Sequence, residues 1–480
     1  MSQSVSSEIY LPTANPSREA AGFWPDMRAA LRGAELEFTE GSLGRAIVLL
    51  AIPMVLEMVM ESIFAVVDVF FVAKLGADAV AAVGLTESVI TLVYAVAIGL
   101  SMATTAMVAR RIGEKDRQGA IVAAVQAIAI GIVLSLPITV AGVLFAPQIL
   151  AWMGASANVV TIGAGYTLVM LGSNLTIMML FLINAVFRGA GDAAIAMRVL
   201  WLANTINVVL DPCLIFGFGP FPELGLQGAA IGTLIGRGAG VVYQVYLLFK
   251  GRGRIQIRRT DLQLVPAVML QLLRTSLGGV FQILIATASW VGLTRIVSTF
   301  GSSALAGYTI AIRIIVFTLL PSWGLSNAAA TLVGQNLGAG KPERAEKSVW
   351  LTGFGNMLFL AGLALIFVLF AEELVGFFTT EAEVTPYATS CLRIVSYGYL
   401  FYAYGMVIVQ AFNGAGDTYT PTLINLGCYW LFQIPLAYAL AMPLQAGPQG
   451  VFVAITVAES LIAVVGLMIF RRGNWKTKKI

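Results

Sequence analysis

The chain has 480 residues, of which 58% are hydrophobic and only 11% are charged, and its formal net charge is +4. A soluble globular protein carries about 25% charged residues, so this composition excludes that class and indicates a chain that crosses a membrane many times. The sequence contains no histidine, which excludes a histidine proton relay and a histidine-ligated metal. The three cysteines lie in apolar segments without metal-site spacing, and we interpret them as core residues.

The first 44 residues form a polar arm, and the first apolar segment begins after Arg45. The arm does not have the pattern of a secretory signal peptide. Within it, the stretch FWPDMRAALRGA fits two interpretations. It is either a short helix that lies on the membrane surface or a tail with a few aromatic residues.

Twelve apolar segments reach the length of about 20 residues that a membrane-spanning helix needs. We name them spans one to twelve in chain order. They are predicted at residues 46–73, 82–109, 119–146, 158–187, 196–219, 225–249, 266–299, 304–334, 346–371, 383–412, 419–442 and 448–470.

Lysine and arginine residues concentrate in the loops that follow even-numbered spans, such as ARRIGEKDRQG and GKPERAEK, and in the C-terminal RRGNWKTKK. The alternate loops are nearly free of them, apart from Lys74. The positive-inside rule therefore predicts that both termini are cytoplasmic. The basic loops are better explained by this topology than by nucleic-acid binding.

The two halves of the sequence carry the same loop signatures. AKLGADAVA matches STFGSSALA, ARRIGEKDR matches GQNLGAGKPER, and AVFRGAGDA matches QAFNGAGDT, all at an offset of 225 residues. A common offset for three separate motifs indicates an internal duplication. Because each repeat holds six spans, both repeats enter the membrane in the same sense, as parallel repeats do.

These patterns predict an all-α membrane protein, with twelve transmembrane helices in two parallel-repeat six-helix bundles around a central cavity. The predicted domains are a cytoplasmic N-terminal arm at 1–44, a first lobe at 45–250, a basic cytoplasmic linker at 251–265, a second lobe at 266–471 and a cytoplasmic tail at 472–480. Two equal lobes favour a carrier that works by alternating access, and the alternative is a duplicated bundle that forms a channel.

Six acidic residues lie inside predicted spans, where an ionised group costs about 2.5–3.5 kcal/mol. Three of them share one face of span one, because their spacing of four and eleven residues keeps them within about 40° around the helix. On span five, an asparagine and an aspartate are one turn apart. The six acids are Glu57, Glu61, Asp68, Glu87, Asp211 and Glu459.

The stretch IPMVLEMVMESIFAVVDVFFVAKLGADAVAAVGL resembles the first span and loop of the MATE (multidrug and toxic compound extrusion) family. AVFRGAGD, and NVVLDPCLIFG followed by GLQGAAIGTLIG, are similar to its fourth to sixth spans, and the resemblance extends over residues 42–470. It implies a secondary antiporter that exports organic cations or amphipathic compounds in exchange for H⁺ or Na⁺. Such a protein is not an enzyme and needs no cofactor beyond the coupling ion.

The resemblance also implies a cation-coupling site in the first lobe, made by Asp68, Asn207, Asp211 and Thr233. If the ion is Na⁺, Asp68, Asn207 and Asp211 would be its metal ligands. An all-oxygen set with two carboxylates suits a hard cation or a proton. The alternative is a hydrogen bond that only holds spans one and five together.

For the other polar and aromatic residues of the spans, the sequence is compatible with two roles each. Glu57, Glu61 and Asn204 either bind substrate or relay protons, or they bond a neighbouring helix. Glu459 is either functional or a bonded structural acid. Tyr399 and Tyr402 either face the cavity, where they would stack on flat cations, or pack against other aromatic residues.

The second lobe departs from the Na⁺-driven bacterial branch of the family, because GGVFQILIATASWVGL and YGYLFYAYGMVIVQAF contain no acid. This favours the DinF-like branch, with the coupling machinery in the first lobe.

The rival functions are a lipid-linked oligosaccharide flippase of the same superfamily and a passive channel. Acids outnumber membrane arginines in the first lobe, which favours cationic cargo. We expect drugs or organic cations and membrane lipid as partners, no nucleic acid, a monomer, and a location in the cytoplasmic (inner) membrane.

Overall fold

The computed structural model describes residues 23–32, 37–250 and 253–480, and within these ranges the secondary structure is helical without strands. A first helix, Phe23–Arg32, precedes the spans, so the helical interpretation of this stretch is confirmed. Its position relative to a membrane stays a prediction. Residues 1–22 and 33–36 of the predicted arm, and 251–252 of the predicted linker, lie outside the described residues.

Among the described residues, eleven helices are long and apolar enough to cross a membrane, and a bent pair supplies a twelfth. The twelve predicted spans are thereby confirmed, although several helices extend further at their ends. Spans one to twelve are Leu43–Ala73, Ala77–Gly113, Arg117–Trp152, Ala157–Ala190, Ala193–Phe216, Leu226–Lys250, Pro266–Ser298, Ser302–Gly338, Pro342–Leu369, Thr385–Gly414, Tyr419–Ala441 and Pro448–Arg471.

Two spans of the second lobe contain irregular backbone that the apolar pattern does not reveal. Span ten is bent by 61° between Thr385–Ser396 and Tyr399–Gly414. Span eleven contains a π-helical segment, Leu426–Gln433. Such breaks and π-helical turns often occur at functional sites, because they re-aim side chains without ending the helix.

The internal repeat is visible in the backbone. Gly76 and Gly301 are equivalent in the two repeats, and they precede spans two and eight with φ angles of 99° and 102°. Gly191 and Gly416 are equivalent in the same way, with φ of 91° and 82°. These left-handed conformations require glycine at the same points of both repeats, which supports the duplication.

The two lobes meet closely where spans two and eight cross, next to the basic loops that follow these spans. A Cβ atom added at Gly113 would overlap the carbonyl oxygen of Gln335, and one added at Gly338 would overlap the carbonyl oxygen of Arg110. The contact is therefore nearly the same in both directions. We call this part of the molecule the basic end.

A short N-terminal segment connects the two lobes at the basic end. The Arg344 guanidinium, near the start of span nine, donates hydrogen bonds to the carbonyl oxygens of Phe38, Glu40 and Gly41. The Phe38 ring is buried and lies 5.4 Å from the guanidinium of Arg254, which belongs to the linker after span six. Residues 37–41, which we call the strap, therefore contact both lobes.

The crossing of spans two and eight predicts a steric effect at Gly338. Replacement Gly338→Ala forces a methyl group against a backbone carbonyl, and overpacking of this kind costs about 1–3 kcal/mol. We expect a lower melting temperature of the purified protein in detergent. Gly355→Ala in span nine is the matched control, because a Cβ atom there meets no atom within 4 Å. Equal melting temperatures of the two variants would contradict close packing at the crossing.

Candidate functional site

A cavity of about 210 Å³ lies between the two lobes. It is lined by spans one, two, four, five and six of the first lobe and by spans eight and ten of the second. On the second-lobe side, the Gln410 amide donates to Asn327 at 3.0 Å, and the Asn413 amide donates to Gln410 at 3.2 Å. This amide chain faces the acids of the first lobe across the cavity.

Glu57 is paired with residues of span four at the wall of the cavity. Its Oε1 accepts from Arg188 Nη1 at 3.1 Å and from Asn184 Nδ2 at 3.4 Å. Gln244 on span six donates to Asn184 Oδ1 at 2.7 Å, which fixes the orientation of that amide. Glu57 is 2% exposed, and its Oε2 atom has no hydrogen-bond partner in the described part of the chain.

Glu61 lies one turn further along span one and accepts a hydrogen bond from Asn204 Nδ2 on span five at 3.1 Å. Arg237 on span six interacts electrostatically with Glu61 and donates to the Tyr94 hydroxyl at 2.8 Å. Both acids thus have bonded neighbours, and both also line the cavity.

The charged side chains that line the cavity, within the described ranges, are two acids and two arginines: Glu57, Glu61, Arg188 and Arg237. Acids outnumber arginines within the spans of the first lobe, but the two are equal in number in the cavity lining. The reason is that Arg188, which the sequence places beside a basic loop, turns inward to Glu57, while Asp68 and Asp211 do not line the cavity.

Asn207 joins two of the other predicted coupling residues. Its Nδ2 atom donates to Asp211 Oδ1 at 3.1 Å and to Thr233 Oγ1 at 3.0 Å. Asp211 is fully buried, and Asp211 Oδ2 and Asn207 Oδ1 have no hydrogen-bond partner among the described residues. Two buried acceptors without donors are costly, and a proton or a small cation would satisfy them. A side chain at Gly232 would overlap Asp211 Oδ1, so the glycine leaves this space open.

Asp68 is half-buried and lies near this cluster without a hydrogen bond to it in the described part of the chain. Its charge interacts with Glu87, Arg237 and Asp211. The structure thus brings Asn207, Asp211 and Thr233 into contact and places Asp68 within electrostatic range. No group of three or more His, Cys, Asp or Glu side chains that could hold a metal ion occurs among the described residues. A Na⁺ ion here would depend on the amide and hydroxyl oxygens as well as the carboxylates.

Tyr399 and Tyr402 are not part of the lining of the inter-lobe cavity, which corrects the interpretation of these residues as aromatics of that cavity. Both line a separate pocket of about 20 Å³ in the second lobe, together with Glu459. Tyr399 follows the bend of span ten directly and packs against Phe367, with ring centroids 5.9 Å apart.

Several cavity residues were not identified from the sequence. Arg188 is the clearest example, because it follows Asn184 by one helical turn and both bond Glu57. The spacing of one helical turn between Asn184 and Arg188 could have predicted that both side chains lie on the same face of span four. The amides Asn327, Gln410 and Asn413 carry no charge and have no spacing that marks them, so their role as lining depends on how the lobes pack.

The profile of the MatE family matches residues 53–213 and 280–439, which is most of both lobes. The chain belongs to the MatE family. The two matched segments correspond to the two repeats, so the MatE profile detects the same duplication as the loop motifs.

Known relatives agree with this assignment over nearly the whole chain. The probable multidrug resistance protein NorM of Thermotoga maritima is 26% identical, over 91% of this MatE chain and 94% of that protein. The FAD transporter of Shewanella oneidensis is 25% identical, over 88% and 93%. A solved structure described as the outward-facing conformation of a multidrug resistance MATE family transporter of the MOP superfamily has a TM-score of 0.86 and 26% identity, with 92% of this chain and 98% of that chain covered. The assignment to the DinF-like branch stays a prediction.

The pair of Glu57 and Arg188 predicts a coupled effect on the stability of this MatE protein. Arg188→Gln leaves Glu57 buried without its cation, and loss of one partner of a buried pair costs about 3–5 kcal/mol. We expect a large fall in melting temperature, which the double variant with Glu57→Gln partly reverses. Arg198→Gln, which replaces an exposed arginine of span five, is the matched control. If both arginine variants melt alike, the pair does not stabilise the lobe.

Proposed function

We propose that this protein is a secondary multidrug efflux antiporter, which exports organic cations or amphipathic compounds in exchange for H⁺ or Na⁺ by alternating access of its two lobes. The observation that carries the proposal is the separation of two sites. A cavity with walls from both lobes can change its access when the lobes rock, whereas the cluster around Asp211 belongs to the first lobe alone.

The inter-lobe cavity has the properties of a cargo site. Its lining includes apolar side chains such as Met102, Phe181 and Trp323, together with a few convergent amides and charged groups. Sites for amphipathic small molecules are built in this way, because apolar surface supplies affinity and the polar groups set orientation. Methionine and aromatic walls also adapt to ligands of different shape.

The cluster around Asp211 has the properties of a coupling site. With both carboxylates ionised, Asp68 and Asp211 repel each other in a medium of low dielectric constant, so a bound proton or Na⁺ is strongly favoured. Binding draws span one towards span five and changes the wall that Glu57 and Glu61 provide. We propose that cation binding favours the state from which cargo leaves to the outside.

We further propose that the protein lies in the cytoplasmic (inner) membrane, with both termini and the basic end in the cytoplasm. In this orientation the crossing of spans two and eight and the strap lie at the cytoplasmic end of the molecule. We expect a monomer surrounded by lipid, with small-molecule cargo, no enzymatic activity and no cofactor beyond the coupling ion.

The second candidate function is a lipid-linked oligosaccharide flippase. The observation that favours it is the presence of Arg188 and Arg237 in the cavity, since guanidinium groups bind phosphate strongly. The FAD transporter among the relatives handles a compound that carries phosphates, so anionic cargo is compatible with this fold.

Antiport predicts that the first-lobe carboxylates are required for gradient-driven transport. We would load proteoliposomes with a fluorescent organic cation and impose a pH gradient or a Na⁺ gradient separately. Asp68→Asn and Asp211→Asn are expected to reduce the driven flux at least about tenfold, because an amide neither takes up a proton nor offers a negative charge to Na⁺. Glu373→Gln, which changes an exposed acid of the short helix Ala371–Gly376 between spans nine and ten, is the matched control. Flux that needs no gradient and survives both substitutions would place the protein in the channel class.

The charges of the cavity predict how cargo selection changes. Glu61→Gln removes a negative charge and should weaken the transport of cations, whereas Arg237→Gln removes a positive charge and should strengthen it. Competition assays with a cationic and a phosphate-bearing amphiphile of similar size would measure both effects. A protein that moves only the phosphate-bearing compound, and loses this activity in Arg237→Gln, would be a flippase rather than a multidrug exporter.

A further inference from the structure

Among the described residues, the buried acids of the second lobe are Asp417, in the loop after span ten, and Glu459 on span twelve. Asp417 pairs with Lys478, whereas Glu459 lies within a span and is not used by the proposed antiport cycle. It is 7% exposed, and its Oε1 atom accepts a hydrogen bond from the Tyr429 hydroxyl at 3.1 Å. Its Oε2 atom is buried without a hydrogen-bond partner in the described part of the chain.

No positive charge of the described residues balances this acid. The titratable groups near it on the neighbouring spans, within the described residues, are Tyr399, Tyr402, Cys428 and Tyr429. The residues that line the pocket beside it, within the described ranges, include no lysine or arginine. An ionised Glu459 would therefore be an unpaired charge in hydrocarbon, which only a proton, water or a cation relieves.

The first lobe carries the opposite charge at the matching position, eleven residues after the start of the span. This match of spans six and twelve has an offset of 222 residues, three fewer than the offset of the loop motifs. Span six begins QGAAIGTLIGR, from Gln227 to Arg237, and span twelve begins QGVFVAITVAE, from Gln449 to Glu459. In the first lobe, the arginine neutralises nearby acids. In the second lobe, the acid stands alone, so the duplication does not explain why it is there.

Two irregular helices meet at this acid. The pocket of about 20 Å³ beside Glu459 is lined by Gly398 and Tyr399, which lie at the 61° bend of span ten. Tyr429, the hydrogen-bond donor to Glu459, lies in the π-helical segment of span eleven. A Cβ atom at Gly398 would press on Thr456, one turn before Glu459, so the bend packs directly on span twelve.

We infer that Glu459 is a second proton-binding site, in the second lobe, and that its loading and release accompany movement at the bend of span ten. The proton joins the free Oε2 atom from water and returns to water, with Tyr429 bonded to Oε1 in both states. The pocket suits a proton better than a metal ion, because about 10–15 Å³ is needed for a single water and a hydrated cation needs far more. The consequence for transport rests on the proposed antiport, but the binding of the proton does not.

The direct test is infrared difference spectroscopy of the purified full-length protein between about pH 5 and about pH 9, read at the protonated-carboxyl stretching band, because most ordinary carboxyl groups are already ionised at the lower end of this range. Since Asp68 and Asp211 contribute bands of their own in the proposed antiport, we expect Glu459→Gln to remove one component of this band. Glu381→Gln, the same change at an exposed acid of the loop before span ten, should leave the band in place. Tyr429→Phe should move the pH at which the band disappears.

Three results would overturn the inference. They are a difference spectrum of Glu459→Gln that keeps every carboxyl component of the unmodified protein, the absence of any titrating carboxyl band in the unmodified protein, and a Glu459 carboxyl that keeps its proton over the whole range. If Glu459→Gln does not fold, Glu459→Asp keeps a carboxyl group and should shift the frequency of the band. An unshifted band in Glu459→Asp would also overturn it.

A transport measurement tests the consequence for coupling. In proteoliposomes with a pH gradient, Glu459→Gln should lower the number of protons exchanged per cargo molecule by about one, as expected when one titrating site is removed. A purely structural acid would change the rate and leave this ratio unaltered. If the unmodified protein shows no gradient-driven flux, the antiport proposal fails, and the infrared result still decides whether Glu459 binds a proton.

Discussion

An ionised side chain in the hydrocarbon layer must be neutralised, hydrogen-bonded or relieved by water, and this constraint organises the interior of both lobes. It explains why Arg188 turns inward to Glu57 rather than outward to the basic loop. It also explains why Arg237 lies among acids and a tyrosine hydroxyl. The compensation is incomplete at Asp211, whose Oδ2 atom has no hydrogen-bond partner among the described residues, and the proposed coupling site lies there.

The two lobes share a fold and differ in electrostatics. In the first lobe, acids, amides and arginines form connected networks that reach the cavity through Glu57 and Glu61. In the second lobe, the cavity wall is an uncharged chain of amides, and the charge lies apart from it at Glu459. Duplication supplied the same scaffold twice, and the polar substitutions on it gave the halves different chemistry.

Much of the architecture is readable from the sequence, because span length, loop charge and repeated motifs are local properties. The contact of Asn207 with Asp211 is readable for the same reason, since four residues make one helical turn. The rotation of each span and its breaks depend on neighbouring helices instead. This is why the inward turn of Arg188, the bend of span ten before Tyr399 and the π-helical segment that contains Tyr429 were not foreseen. The predicted domain boundaries and site roles stay predictions.

The crossing of spans two and eight has a consequence for ancestry. Gly113 meets span eight as Gly338 meets span two, and this reciprocity is the signature of an isologous interface. A single six-span half with this surface would pair with a second copy of itself, with both copies in the same membrane orientation. The present chain then descends from such a dimer, in which the two six-span subunits became joined in one polypeptide. Once joined, the halves no longer had to be identical, and an arginine in one could become a glutamate in the other.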